Sequence, residues 1–417
     1  MAKVTNRMKW VIWALAATFY FYEYFLRVFP SVIIPDLMNV FSVDATAIGA
    51  LSAFYFYIYA PLQLPVGMIT DKYGARRLLA IAAFTAGLGT LLFGMANHYW
   101  IAAMGRFLMG FGSSFGFVGM IYICSHWFEE SKRGIMIGFA NTIGMMGAIL
   151  GEGPLRIGIN LFGWRVSLFV MAGFAFVLSG LIYLLVRNDP PEMKKFDQKT
   201  KKSSENLIKN LGIVTKNFYS WLNALVALFF FVTTASFAGL WGVPFIKTTY
   251  GISTELAGFA VSMIFFGWAA GGPLIGIFSD KIQQKKNLLL LANAMGFLLM
   301  SIVVYISNIP IAMLFILFFL IGFVSSGELL NFSYSIDINP QFAKGTAIAF
   351  TNFIVVIGAV VLQPLVGHIL DLNWTGQMLG NVRVYPREAY TIAMSCFPAS
   401  FLIAFILGFF LKKEKLA

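Results

Sequence analysis

The 417-residue sequence predicts an all-α integral membrane protein, with twelve transmembrane helices in two pseudo-symmetric six-helix bundles. Three observations carry that reading. The chain is 59% apolar and 12% charged, and its apolar runs repeatedly exceed the roughly 20 residues that cross about 30 Å of hydrocarbon. It repeats itself: Arg106-Phe-Leu-Met-Gly110-Phe-Gly112-Ser113-Ser114 returns as Phe318-Phe-Leu-Ile-Gly322-Phe-Val-Ser325-Ser326, roughly 210 residues on. Its basic residues also fall on alternate loops, as the positive-inside rule requires of an even number of spans.

The spans follow in order near residues 10–34, 46–70, 78–96, 99–124, 134–160 and 165–187, then 219–246, 254–279, 287–307, 310–336, 343–371 and 388–411. Residues 1–187 form the amino-terminal bundle, 188–218 a polar linker and 219–417 the carboxy-terminal bundle. Two further echoes keep the halves collinear. Arg133-Gly134 and Phe139-Ala-Asn141 match Lys344-Gly345 and Phe350-Thr-Asn352, while Gly67, Asp71, Arg76 and Arg77 match Gly276, Asp280, Lys285 and Lys286. The linker opens with Pro190-Pro191 and carries Lys194, Lys195, Lys199, Lys201 and Lys202, with an amphipathic turn around Leu207–Val214. It reads as a solvated tether. The outer connection at 372–387, with Gly376, Gly380 and Pro386, is long enough to shape an entrance.

A net charge of +12 would suggest a nucleic-acid partner in a soluble protein, but here the excess has a topological cause. Most of the 30 Lys and Arg lie at the amino terminus, on residues 72–77, 132–133, 187–216 and 281–286, at Lys344 and in the tail. That face is expected to be cytoplasmic, both termini included, in a bacterial inner membrane. The opposite face carries few bases, among them Lys247, Arg383 and Arg387. The first apolar stretch is too long for a cleavable signal and serves as its own targeting segment. Cys124 and Cys396 suggest neither a disulfide framework nor a metal cluster, and His98, His126 and His368 lie near span ends as interfacial residues. No nucleophile, base and orienter converge, no phosphate-cradling loop is present and nothing resembles a repeated selectivity filter. Enzyme and channel chemistry are therefore not expected, nor is a cofactor.

Gly67-Met-Ile-Thr-Asp71-Lys72-Tyr-Gly74-Ala-Arg76-Arg77, between spans two and three, resembles the Gly-x-x-x-Asp-(Arg/Lys)-x-Gly-x-Arg-(Arg/Lys) signature of the major facilitator superfamily. The degenerate copy at Gly276 and Asp280, Arg106-x-x-x-Gly110-x-Gly112, and Gly163-Trp164-Arg165 extend the resemblance over nearly the whole chain. It implies a secondary transporter working by alternating access, with Gly67, Asp71, Arg76, Arg77 and Asp280 as a cytoplasmic gate. Asp71 would face the start of span eleven near Gly345, and Asp280 the start of span five near Gly134. A glycine at 67 permits close helix approach, and Asp71 can accept from a facing helix amino terminus or pair with Arg77.

An ionisable side chain within a span costs at least about 2.5–3.5 kcal/mol, so such residues face partners or water. Here they are concentrated in the first half: Glu23 and Arg27 in span one, Arg106 in span four, Glu152 and Arg156 in span five, against Glu328 in span ten. Tyr20, Glu23, Tyr24, Arg27 and Ser31 form one helical stripe, Tyr55, Tyr59 and Gln63 a second, and Asn141, Met145, Glu152 and Arg156 a third. Glu23 and Arg106 sit at similar depth, and the resemblance makes Glu23 a proton carrier paired with Arg106. The competing reading of Glu23 is an inert intrahelical pair with Arg27 at i,i+4.

Carboxylates and guanidiniums together suit a small charged organic solute, a dipeptide, amino acid or organic anion, taken up with protons. The expected binding residues are Tyr20, Tyr24, Arg27, Tyr55, Tyr59, Asn141, Glu152, Arg156, Glu328, Asn352 and Gln363. The charged stripe and Gln363-Pro364-x-x-Gly367 resemble, more loosely, the branch that includes lysosomal dipeptide transporters and bacterial relatives. That branch would put a peptide carboxylate on Arg27 or Arg156 and its amine on Glu152. Sodium in place of protons, uniport, and export of amphipathic compounds or a siderophore stay open. Gly147-Ala-Ile-Leu-Gly151-Glu152-Gly153-Pro154 departs from the family's exporter pattern. A nontransporting sensor would be expected to carry an output domain or a degraded gate motif. The expected partners are solute, ion and lipid, with the chain a monomer.

Overall fold

The computed structural model describes residues 2–190, 207–282 and 284–412, and is helical almost throughout. Among the described residues eleven helices are long and apolar enough to cross a membrane, and a bent pair, Arg7–Val32 with Ile34–Phe41, makes twelve when taken as one span. The chain is therefore a multi-pass, two-bundle membrane protein of the predicted class.

The spans are interrupted where backbone chemistry demands it. Pro30 and Pro35 lack an N–H, and span one turns through a 3-10 segment, Phe29–Val32, into Ile34–Phe41 at 68°. Span four breaks between Tyr99–Ser113 and Gly116–Trp127, and span five between Glu130–Leu150 and Gly153–Phe162. Span seven contains a π-helical stretch, Thr233–Trp241, and span ten a 3-10 turn, Ser326–Glu328. Such interruptions concentrate at functional sites because they free backbone groups and re-aim side chains.

We call the face where span six ends at Leu185 and span seven begins at Phe218 the linker face, and its opposite the far face. The bundles meet along spans two and eleven and along spans five and eight. At the far face they are in backbone contact: a Cβ on Gly367 would stand 2.2 Å from the Ala45 carbonyl oxygen, and one on Gly258 2.8 Å from Gly153 N. At the linker face Gly67, Gly134, Gly276 and Gly345 have nothing within 4 Å of the same position. The molecule is shut at one end and open at the other.

Within the linker, the amphipathic turn is realised as a helix, Leu207–Lys216, that packs Val214 against Ala343, Ala347 and Phe350. The lysines from Lys194 to Lys202 lie outside the described residues. The far-face connection between spans eleven and twelve forms a short antiparallel hairpin, Met378–Leu379 with Val382–Arg383.

Candidate functional site

Arg27 stands at the centre of the polar stripe on span one. Its guanidinium donates to Glu23 Oε1 at 2.7 Å and lies over the rings of Tyr24 and Tyr59 at 4.6 and 5.1 Å. Tyr59 OH donates to the same carboxylate oxygen at 3.0 Å. Glu23 Oε2 has no hydrogen-bond partner and lies over Gly116, where a Cβ would stand 2.4 Å from it. Glu23 is wholly buried, whereas Arg27 keeps 7% of its surface exposed. The pair thus has a closed carboxylate end and a slightly open guanidinium end.

Around it, Tyr20 OH reaches Tyr24 OH at 3.3 Å and Asn141 Oδ1 at 3.5 Å, and Tyr55 stacks on Tyr59 with ring centroids 5.7 Å apart. Glu328 faces this centre from the other bundle without a direct contact among the described residues. It is buried at the 3-10 turn of span ten, within electrostatic range of Arg27 but in no ion pair with it. Asn352 Nδ2 donates to Gln63 Oε1 at 2.9 Å and joins spans eleven and two across the bundle interface. The structure therefore brings together Tyr20, Glu23, Tyr24, Arg27, Tyr55, Tyr59 and Asn141, with Glu328 in electrostatic range and Asn352 at the seam.

Four other expected residues stand elsewhere. Arg106 does not meet Glu23: it donates to the Leu26 carbonyl at 2.5 Å and the Ser52 carbonyl at 3.2 Å, and lies over Phe29 and Tyr55. Pro30 explains this, because without an N–H it cannot accept its place as the intrahelical donor to Leu26, and the orphaned carbonyl draws the guanidinium. The pair that forms is the competing one, Glu23 with Arg27. Arg156 is committed at the far face to Asp36 at 2.8 Å and the Val32 carbonyl at 2.9 Å. Gln363 is fully buried and pins span eleven to span seven, its side-chain amide donating to the Ala235 carbonyl while its backbone carbonyl accepts from Trp241 Nε1. Glu152 sits in the break of span five with neither carboxyl oxygen hydrogen-bonded, closed in beside the Gly153–Phe259 contact of spans five and eight. Helical spacing had placed Glu152 and Arg156 on one face; the break at Gly151 to Gly153 ends that register.

The gate residues are apart. Asp71 is exposed and makes no ion pair with Arg77 among the described residues; its partial burial raises its carboxyl above the usual range, opposed by His126. Arg76 is held by span six, its backbone N–H donating to Asn188 Oδ1 at 2.9 Å and its Nε to the Tyr183 carbonyl at 2.8 Å. Gly67 packs against nothing, so the close approach expected of it is absent in this conformation. The Asp280 side chain lies outside the described residues.

Known proteins agree with this architecture. The chain is 24% identical over 368 residues to the probable galactarate/D-glucarate transporter GudP of Bacillus subtilis, covering 81% of this chain and 80% of that one. It is 23% identical to the membrane sensor protein UhpC of Escherichia coli, over 88% of this chain and 86% of the relative. A probable hexose phosphate transport protein of Chlamydia pneumoniae is 22% identical, over 86% and 84% of the two chains. Among solved structures, a bacterial homolog of the human lysosomal transporter Spinster, inward-facing and unoccupied, superposes with a TM-score of 0.74 at 16% identity, over 98% of this chain and 99% of that one. The sequence pattern of the Major Facilitator Superfamily matches residues 14–363, and the chain belongs to that family as a membrane transporter of small molecules, not an enzyme.

Proposed function

We propose that the protein carries a small organic anion into the cell in symport with a proton, with Arg27 as the anchor for the anion. One observation carries this reading: Arg27 keeps 7% of its surface exposed and, among the described residues, shares its guanidinium with a single carboxylate that a solute can displace. A solute carboxylate or phosphate competes with Glu23 for the same donors. Glu23 then gives up its charge by taking a proton, so anion and proton bind together. The coupling partner of Glu23 in this scheme is Arg27 and not Arg106. Tyr20, Tyr24, Tyr59 and Asn141 offer hydrogen bonds to an oxygen-rich body, and Glu328 receives a hydroxyl or amino donor from the other side.

The names of the relatives favour a sugar acid or sugar phosphate over a dipeptide, since GudP is named for diacids and the Chlamydia protein for a hexose phosphate. The basic loops support a cytoplasmic linker face in a bacterial inner membrane. The conformation described is then open inward. Closing it would carry Asp71 toward the start of span eleven, with Arg76 and Arg77 beside it and Asp280 in the matching place on the other bundle.

Thermal stabilisation of the purified protein by sugar acids, sugar phosphates, amino acids and dipeptides identifies the ligand, because whatever binds the folded state raises its melting temperature. Uptake of the hit into liposomes under an imposed pH gradient follows. A hit that Arg27→Ala abolishes, accumulated only with the proton gradient, bears the proposal out. Equal stabilisation of wild type and Arg27→Ala would refute it. Binding without uptake would favour a sensor such as the UhpC relative is named to be.

A further inference from the structure

We propose that Asp371, at the far-face end of span eleven, is a latch that holds the far side shut by capping the amino terminus of span two. The first N–H groups of a helix have no intrahelical partner, and the helix dipole favours an anion there. Span two begins at Ala45, and its own N-cap, Asp44, takes the N–H of Ala47 at 3.0 Å. The groups that remain go to the other bundle. Asp371 accepts from Ala45 N at 3.2 Å, Thr46 N at 2.7 Å and Thr46 Oγ1 at 2.5 Å. Two carboxylates, one from each bundle, thus divide a single helix terminus.

The hairpin that follows closes over the contact. Tyr385 OH donates to Asp371 Oδ1 at 2.5 Å and accepts from Ala45 N at 3.1 Å. Arg383 Nη1 stands 3.2 Å from Asp371 and 3.7 Å from Asp44, so one guanidinium bridges both bundles. The backbones are close enough that Gly367 is required opposite Ala45. The duplication supplies an independent echo. Roughly 210 residues separate Asn160 from Asp371 and Thr46 from Glu255, and Asn160 donates to Glu255 across spans five and eight. Both pseudo-equivalent crossings of the far face are hydrogen-bonded, with carboxylate and donor exchanged.

Asp371 is thereby the counterpart of Asp71, which lies exposed at the opposite face. Each carboxylate caps a helix of the other bundle in one conformation and is released in the other. The assignment goes beyond the solute and its coupling ion, since it requires only that the protein alternate between two states.

The test is the conformational distribution of the full-length protein in lipid nanodiscs. Spin labels at His98→Cys and Asn308→Cys, exposed on the far face of the two bundles, report the far-face distance in a background lacking Cys124 and Cys396. Asp371→Ala is expected to raise the far-face-open population about tenfold, with Asp371→Asn and Tyr385→Phe giving smaller shifts in the same direction. Adding Asp71→Ala to Asp371→Ala is expected to move the distribution back toward wild type, because each substitution removes one of two opposed latches. A merely structural Asp371 would show no such compensation. Unchanged distances in Asp371→Asn and Tyr385→Phe, or an Asp371→Ala shift that Asp71→Ala leaves untouched, would overturn the proposal.

Discussion

Two arginines are buried in the same bundle, yet their surroundings differ in kind. Arg106 has no exposed surface, no carboxylate partner among the described residues, and two backbone carbonyls from spans one and two as acceptors. Both guanidiniums lie over two aromatic rings, but Arg27 differs in having a carboxylate partner and 7% of its surface exposed. A guanidinium spent on backbone carbonyls ties helices together and has nothing to exchange. One held by a single carboxylate can trade that partner for a ligand. Burial alone therefore does not mark a functional charge; the replaceability of its partner does.

The sharpest way to break this contrast is Arg27→Ala. It is expected to weaken solute binding at least about 30-fold, since truncating one member of a buried charged contact costs roughly 2–5 kcal/mol. Titration calorimetry with the ligand found by thermal stabilisation measures it. A loss below about threefold would place the anchor elsewhere.

Arg106→Ala is expected to act on stability instead, by about 2–3 kcal/mol, because it empties a packed site and leaves the Leu26 carbonyl without a donor. Solute affinity of the folded protein should stay within about twofold. Pro30→Ala offers a second reading, as it returns an N–H at the position that would bond Leu26, and its effect should be non-additive with Arg106→Ala in a double-mutant cycle. Lost binding at an unchanged melting temperature in Arg106→Ala would restore a direct role for Arg106 at the site.

Glu23→Gln probes the other half of the pair. In wild type the solute displaces Glu23 from Arg27 most readily when the carboxyl is protonated, so affinity should rise as pH falls. The Gln variant imitates the protonated form and should bind with the low-pH affinity at every pH, roughly tenfold tighter than wild type under alkaline conditions. It should also lose gradient-driven accumulation while sparing exchange between equilibrated compartments. Parallel loss of both would remove Glu23 from the coupling step.

The architecture was legible because it rests on signals that survive without coordinates: span length, duplication and the segregation of basic loops. The stripe on span one was legible for the same reason, since a 3.6-residue period keeps Tyr20, Glu23, Tyr24 and Arg27 on one face of an unbroken helix. The errors cluster where helices break. Helical spacing gives Glu152 and Arg156 a common face with Asn141 and Met145, and the interruption of span five at Gly151 to Gly153 buries one and commits the other to Asp36. Depth along a helix put Glu23 level with Arg106, but depth carries no azimuth, and the consequence of Pro30 for the Leu26 carbonyl was the signal that could have corrected it. Asp371 carries no motif and its partners lie in another bundle, so only the assembled interface makes it visible.

Glu152 sharpens the comparison from the opposite sign of charge. Among the described residues neither buried carboxyl oxygen has a hydrogen bond, an arrangement that costs this conformation stability and is worth keeping only where another conformation uses it. If the residue is inert, Glu152→Met, of similar volume and free of polar atoms, should stabilise the protein by about 1 kcal/mol and leave uptake unchanged. If opening of the far face brings Glu152 to water, the same substitution should stabilise the conformation described here and slow uptake, while Glu152→Gln retains more of it. Melting temperature and liposome flux measured on the two variants separate these cases. A stabilised, slow Met variant beside an active Gln variant would show that the sealed carboxyl is retained for the outward-open state, where its break with span eight lets it find the partners it lacks here.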